Sequence, residues 1–180
     1  MVKLESERLL IRHYLASDLE DLHGLISDKA NMQLVEDVFS NSVEETFENL
    51  SHVMKNEDGQ YFAIYDKKSL AFIGSVGYTY SEPGWDDKTA HLGYFILPKF
   101  HGKGIVTEAV KKVLEFAFEI DNCVQITTGC YKEHIASERV MIKSGFRKRS
   151  ERIGVVQRDG TVKDRVEYAI DIIDYLKVDG

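Results

Sequence analysis

Apolar and polar positions along the chain recur with strand or helix spacing, and the elements can be taken in order. The run Arg8-Leu9-Leu10-Ile11-Arg12-His13-Tyr14 predicts a first strand. Leu19, Leu22, Leu25 and Ile26 fall on one face of a short helix that Ser17 or Asp18 would cap. Ser42 with Glu45 three residues on is a capping box. It opens a second helix carrying Phe47, Leu50, Val53 and Met54, which Asn56-Glu57-Asp58-Gly59 breaks. Strands follow at Tyr61 to Tyr65, Phe72 to Tyr80 and Ala90 to Leu97, the last two separated by a loop at 82–87. A strong helix from about Val106 to Ile120 buries Val106, Ala109, Val110, Val113, Leu114 and Ala117. Its outer face sets Glu108 four residues from Lys112, and Lys111 four from Glu115. After a strand at Val124 to Cys130, a helix from about Ile135 to Ser144 ends at Gly145-Phe146, a glycine stop in which Phe146 folds back on Met141. Strands at about 147–157 and 161–170 flank the turn Arg158-Asp159-Gly160 as a closing hairpin. The order is mixed α+β around one central sheet, in a single domain over residues 1–180.

Composition narrows the class. Hydrophobic residues at 43% and charged residues at 29% are ordinary for a soluble globular protein. No apolar run reaches the roughly 18 residues of a membrane helix, and the opening Met1 to Arg8 carries acids early with no apolar signal segment, so a cytoplasmic protein is expected. Cys123 and Cys130 lie seven apart with no CxxC and no His pair, which predicts buried thiols and no metal site. A net charge of −7 weighs against a nucleic-acid partner and suits a cationic substrate such as an amine.

The informative segment runs from the strand Gly93 to Leu97 through Pro98-Lys99-Phe100-His101-Gly102-Lys103-Gly104 into Ile105-Val106-Thr107-Glu108-Ala109. Two glycines straight after a buried strand and straight before a helix let backbone N–H groups turn inward. The helix start adds unpaired donors and the positive end of its dipole. Such a loop binds phosphate oxygens or serves as a plain connection. It has neither the lysine-then-hydroxyl ending of a P-loop nor a complete Gly-x-Gly-x-x-Gly.

Gly93-Tyr94-Phe95-Ile96-Leu97-Pro98, the run Gly102 to Ala109, and the later Ala136-Ser137-Glu138-Arg139-Val140-Met141-Ile142-Lys143-Ser144-Gly145-Phe146 together resemble the GNAT acetyltransferase superfamily. The likeness is greatest to its branch of ribosomal-protein N-terminal acetyltransferases and their relatives, the RimJ/RimL type. The resemblance implies a mostly antiparallel, splayed sheet of six to seven strands flanked by about four helices, with acetyl-CoA as cosubstrate. By position, Phe95, Ile96 and Leu97 would meet the pantetheine and acetyl group. His101, Gly102, Lys103, Gly104, Ile105, Val106 and Thr107 would surround the pyrophosphate, mainly through backbone amides, and His134 and Ser137 would also touch the cofactor. The sequence departs from the family pattern at three places. His101 replaces a Gln or Arg, His134 an Asn, and Met141 the Tyr that many relatives use as general acid. These substitutions motivate an alternative, an acyl-CoA-binding sensor of the same fold without catalysis.

Transfer of acetyl to an amine needs a neutral nitrogen, an oxyanion donor and a proton for the leaving thiolate. A backbone N–H near Ile96 or Leu97 is the candidate oxyanion donor. A lysine-like amine is neutral only about once in 2,500 molecules at pH 7, worth ~4.6 kcal/mol, whereas an α-amine near ~7.8 is neutral roughly once in seven. His91 is the candidate base, where relatives often carry Glu, and alternation puts it on the face of Gly93 and Phe95. Ser137 is the candidate acid, by analogy with relatives that lack the Tyr. Neither cysteine sits in a nucleophile setting, which favours direct attack over an acyl-enzyme. The expected acceptor is a protein or peptide N-terminus or a small-molecule amine. Glu36, Asp37, Glu82 and Trp85 lie in loops that would line an amine pocket, and the last hairpin offers an edge for a homodimer.

Overall fold

The computed structural model describes residues 1–32, 39–81, 88–157 and 160–178. Among them, eight strands form one sheet: β1 (Lys3–Glu5), β2 (Leu9–His13), β3 (Gly59–Asp66), β4 (Phe72–Tyr80), β5 (Thr89–Ile96), β6 (Gln125–Tyr131), β7 (Arg147–Val156) and β8 (Val162–Asp171). The helices are α1 (Leu19–Ile26), α2 (Lys29–Met32), α3 (Val43–Val53), α4 (Ile105–Glu119), α5 (Ile135–Lys143) and α6 (Ile172–Val178). Strand order is β1-β2-β3-β4-β5-β6-β8-β7, antiparallel throughout except for the β5–β6 pair.

The sheet thus has eight strands where six to seven were expected, and six helices where about four were. The additions are short. β1 is three residues, too few to show alternation, and it pairs Leu4 with Ile11 on β2. α2 is a single turn, and α6 is launched by Asp171, whose carboxylate accepts the Asp174 N–H at 2.9 Å.

Alternation along the strands separates two packing layers. Phe62, Ile64, Leu92 and Ile96 point to the layer beneath α4 and α5, with Ala109, Val113, Met141 and Phe146. Ala63, Tyr65 and Phe72 point to the opposite layer, with Leu22, Leu25 and Ile26 of α1 and Leu50 of α3. Each such side chain contributes about 1.5–3 kcal/mol when fully buried. The α5 stop forms as the glycine pattern predicts. Gly145 has φ 93°, Gly145 N–H donates to Ile142 O, and Phe146 N–H to Met141 O, both at 3.1 Å. Ser42 caps α3 by accepting the Glu45 N–H, but the Glu45 carboxylate returns to the Asn41 N–H rather than to Ser42.

β5 and β6 pair only at Thr89↔Gln125, Ala90↔Ile126 and His91↔Thr127. Beyond those pairs both strands continue, β5 to Ile96 and β6 to Tyr131, without pairing to each other. The sheet is therefore splayed, with a gap open between them.

Candidate active site

The gap edge of β5 can be assigned from its neighbours. Leu92 O accepts from Thr128 Oγ1 at 3.0 Å, and Ile96 O accepts from Asn31 Nδ2 at 3.3 Å and lies 3.2 Å from His101 Nε2. Leu97 N–H instead donates to Ile73 O on β4 at 2.9 Å. Successive residues of a strand turn their backbone groups to opposite edges. Tyr94 and Ile96 therefore direct their N–H groups into the gap, while Phe95 and Leu97 face β4. Of the two oxyanion donors expected, the Leu97 N–H is already used and the Ile96 N–H faces the opening. The Ile96 side chain lies in the core, so it meets the gap through backbone alone.

At its far end this edge runs into the glycine loop. Gly102 and Gly104 have φ of 72° and 73°, the left-handed region that side chains resist, and Gly104 is the N-cap of α4 with no side-chain cap. The first helical bond is Glu108 N–H to Gly104 O at 3.1 Å, which leaves the N–H groups of Ile105, Val106 and Thr107 without intrahelical acceptors. That cluster of donors fits an anion. Lys103 Nζ donates to Lys99 O at 2.9 Å, and the Lys99 and Lys103 ammonium groups both lie over the Phe100 ring. The His101 ring turns back to Ile96 O, away from the loop backbone.

Arg8 fixes the loop from outside. Its Nη1 donates to Lys103 O at 3.0 Å, and its Nε donates to Glu108 at 2.6 Å. Glu108 also accepts from the Ser6 hydroxyl and the Arg8 N–H. Burial alone would raise this carboxyl, but these bonds outweigh it and hold it below the ordinary carboxylate range. The expected outer-face pairs of α4 are replaced accordingly. Glu108 is drawn to β2's approach, and Lys112 pairs with Glu115 one turn away.

Across the gap, His134 is the N-cap of α5 and Ser137 lies in its first turn, 8% exposed. Burial, then the nearby His101 ring, push the His134 imidazole down from its usual value. Tyr94 Oη reaches over from β5 to Ser137 Oγ at 2.9 Å. Cys130 donates weakly to His134 O, and burial pushes its thiol up to about 11. Burial also takes Cys123 to about 12. Both thiols are therefore poor nucleophiles at neutral pH.

On the opposite face of the sheet His91 lies at the last paired position before the gap, with Nδ1 3.1 Å from Thr127 Oγ1. It borders a cavity of about 390 Å³ between the sheet and helices α1 and α3. The floor is Ser75, Gly77 and Thr79 of β4 beside Phe95, Gly93 and His91 of β5. Tyr14, Leu22, Ile26, Val53 and Tyr61 contribute to its walls. Sequence reasoning missed Tyr94 and Tyr14. Alternation puts Tyr94 on the helical face, but nothing in the pattern shows its hydroxyl reaching α5. Glu36, Asp37, Glu82 and Trp85 lie outside the described residues. Among the described residues no three His, Cys, Asp or Glu side chains are placed to hold a metal ion, and no helix is long and apolar enough to cross a membrane.

The family model of an acetyltransferase (GNAT) domain matches residues 8–147. The uncharacterized N-acetyltransferase YnaD of Bacillus subtilis (strain 168) is 29% identical over 147 residues, 81% of this chain and 82% of that protein. The ribosomal-protein-S5-alanine acetyltransferase of Vibrio fischeri has the same fold, with a TM-score of 0.81 at 22% identity over 95% of this chain and 97% of that one. So has the spermidine N-acetyltransferase of Vibrio cholerae, solved with CoA and spermine, with a TM-score of 0.84 at 20% identity over 95% and 99%. With the splayed sheet, the glycine loop and a family match across most of its length, the chain belongs to the GNAT acetyltransferase family and is an N-acetyltransferase.

Proposed function

We propose that the chain transfers an acetyl group from acetyl-CoA to a primary amine by direct attack, with His91 as base and Ser137 as acid. The observation that carries this reading is the continuous donor track formed by the open β5 edge, the two left-handed glycines and the unpaired first turn of α4. When bound, acetyl-CoA supplies an activated acetyl group and a thiolate leaving group. The backbone N–H groups from Gly102 to Thr107 hold the pyrophosphate, and the β5 edge from Tyr94 to Ile96 pairs with pantetheine as a missing strand would. The Tyr94 N–H, the gap-facing donor nearer His91 along β5, bonds the acetyl carbonyl oxygen as negative charge builds on it. His91 takes a proton from the amine, and Ser137 gives its hydroxyl proton to the departing sulfur. The raised Cys130 thiol supports direct attack over an acyl-cysteine route.

The acceptor is a protein N-terminus or a small amine, such as the ribosomal protein and the spermidine named for the two Vibrio enzymes. Two free, buried cysteines suit a reducing compartment such as the cytoplasm. We place a homodimer contact at the outer edge of β7, where Ile153 and Val156 are exposed. The test is thiol release from acetyl-CoA against a panel of amines, alongside the thermal shift produced by CoA. Amine-dependent release confirms the transferase. A CoA shift without release from any amine would leave an acyl-CoA-binding module of the same fold.

A further inference from the structure

The cavity beneath α1 and α3 has a chemistry of its own. Gly77 and Gly93 are cross-strand partners at the centre of its floor, so the sheet presents bare backbone there. The two glycines have different causes. A Cβ on Gly77 would meet Gln60 O at 2.5 Å, so the sheet itself requires glycine. A Cβ on Gly93 would meet nothing within 4 Å, and Gly93 has no left-handed φ. Its backbone would accept any residue, and what the missing side chain leaves is room in the cavity.

The cavity is graded along the strands. Its outer end has Thr79 and His91 in register, beside Tyr61 and His52. There Asp58 accepts from the Tyr61 hydroxyl at 3.1 Å and lies 2.9 Å from His52 Nε2. Four residues further in, about 13 Å at strand rise, are Ser75 and Phe95, with Leu22, Ile26 and Tyr14 completing an apolar end. In that end Tyr14 is 5% exposed, and its hydroxyl makes no hydrogen bond. Burial raises its ionisation well above the ordinary tyrosine range. The neighbouring Ser75 hydroxyl, whose own proton goes to Phe62 O at 3.5 Å, partly offsets this. Leaving a buried hydroxyl unpaired is costly, and a ligand group placed there would recover that cost.

We infer that the acceptor is a primary amine on a compact apolar or aromatic body, its amine at His91, its body on the Gly77–Gly93 floor and a hydrogen-bonding group at Tyr14. This rests on the acetyl-transfer reading of the same site. A second ammonium pushed into the apolar end would lose its hydration, and the described lining holds no carboxylate to meet it. The chemistry is shared by free aryl- or alkylamines and by the α-amine of a large apolar first residue on a peptide.

The test compares kcat/KM for phenethylamine, tyramine, a short peptide beginning with Phe, one beginning with Gly, and spermidine. It is run on the wild type and on Gly93→Val and Tyr14→Phe. Phenethylamine or the Phe peptide should exceed both spermidine and the Gly peptide by about 10-fold or more, the scale of a filled apolar pocket. The ratio between phenethylamine and the Phe peptide identifies the source. Gly93→Val should raise KM for the apolar amines about 10-fold while the CoA thermal shift is kept. Tyr14→Phe should lower activity on tyramine and spare phenethylamine. Preference for spermidine or the Gly peptide, with Gly93→Val indifferent, overturns the acceptor class and leaves acetyl transfer standing. A CoA shift with no release from any of these amines overturns the acceptor class as well. Absence of both CoA shift and release overturns the two readings together.

Discussion

Tyr94 Oη lies 2.9 Å from Ser137 Oγ and 3.1 Å from Ser137 O, tying the middle of β5 to the first turn of α5 across the gap. The phenol is buried, which raises it far above the ordinary tyrosine range and keeps its proton in place. Its one proton goes either to Ser137 O or to Ser137 Oγ, and in the second case the serine proton is free to point into the gap, the arrangement an acid requires. In the proposed mechanism Tyr94 is thus a positioning residue for Ser137. Ser137→Ala should lower kcat about 100-fold, the low end of general acid–base contributions. Tyr94→Phe should lower it about 10-fold with little change in the KM for acetyl-CoA. The double variant should be no slower than Ser137→Ala alone, because residues acting as one unit are not additive. Steady-state kinetics on all four proteins reads this, and full additivity would separate Tyr94 from the acid.

Most of the fold and the backbone frame of the candidate site were legible in the residues. The long apolar alternations of β3, β4 and β5 and the helical spacing of α4 are driven by burial, which a sequence records directly. The α5 stop at Gly145-Phe146 is local chemistry and equally readable. What a sequence records poorly is contact across long separations. Arg8 with Glu108, and Tyr94 with Ser137, meet only because the sheet brings them together. Helical spacing alone assigned Glu108 to Lys112, and tertiary packing overrode it. The Tyr14 hydroxyl gives no sequence signal, since an unpaired buried group has no partner to announce it.

His91 is expected to matter in proportion to how firmly the acceptor holds its proton. A lysine-like amine must give up ~4.6 kcal/mol to be neutral at pH 7, an α-amine only ~1 kcal/mol. His91→Ala should therefore cost more with an alkylamine, about 100-fold in kcat/KM, than with a peptide α-amine, about 10-fold. In the variant the rate should rise with pH until the free amine itself is neutral. Equal losses on both amines would remove His91 from proton transfer.

Gly104 and Gly93 give opposite expectations for one added methyl group. At Gly104 a Cβ would meet only Arg8 Nη2, at 3.8 Å, so the obstacle is the left-handed backbone rather than a clash. Gly104→Ala should cost about 1–2 kcal/mol of stability. It should also weaken CoA several-fold as the loop relaxes, measured by urea unfolding and by calorimetry. Gly93→Ala meets neither obstacle, and its unfolding curve should overlay the wild type.

Asp18 gives the clearest pH dependence of stability. It is 2% exposed and takes both Arg12 Nη1 and Nη2, at 2.7 and 2.9 Å, together with the Leu15 N–H and the Tyr65 hydroxyl, each at 2.8 Å. Burial works to raise its carboxyl, but these four bonds outweigh it and the result is lowered. A carboxyl lowered by folding stabilises at all pH values above its unfolded value of ~3.9, and that contribution is lost as pH falls below it toward the folded value. Asp18→Asn leaves the Arg12 guanidinium, itself mostly buried, without its counter-charge. The substitution should cost about 3 kcal/mol at pH 7. Because the wild type loses this contribution in acid and the variant never has it, their urea midpoints should converge as pH falls below about 4. Parallel curves over that range would mean that the Arg12–Asp18 pair contributes nothing to the acid limb. The stabilising role would then belong to the packing of α1 against β3 alone.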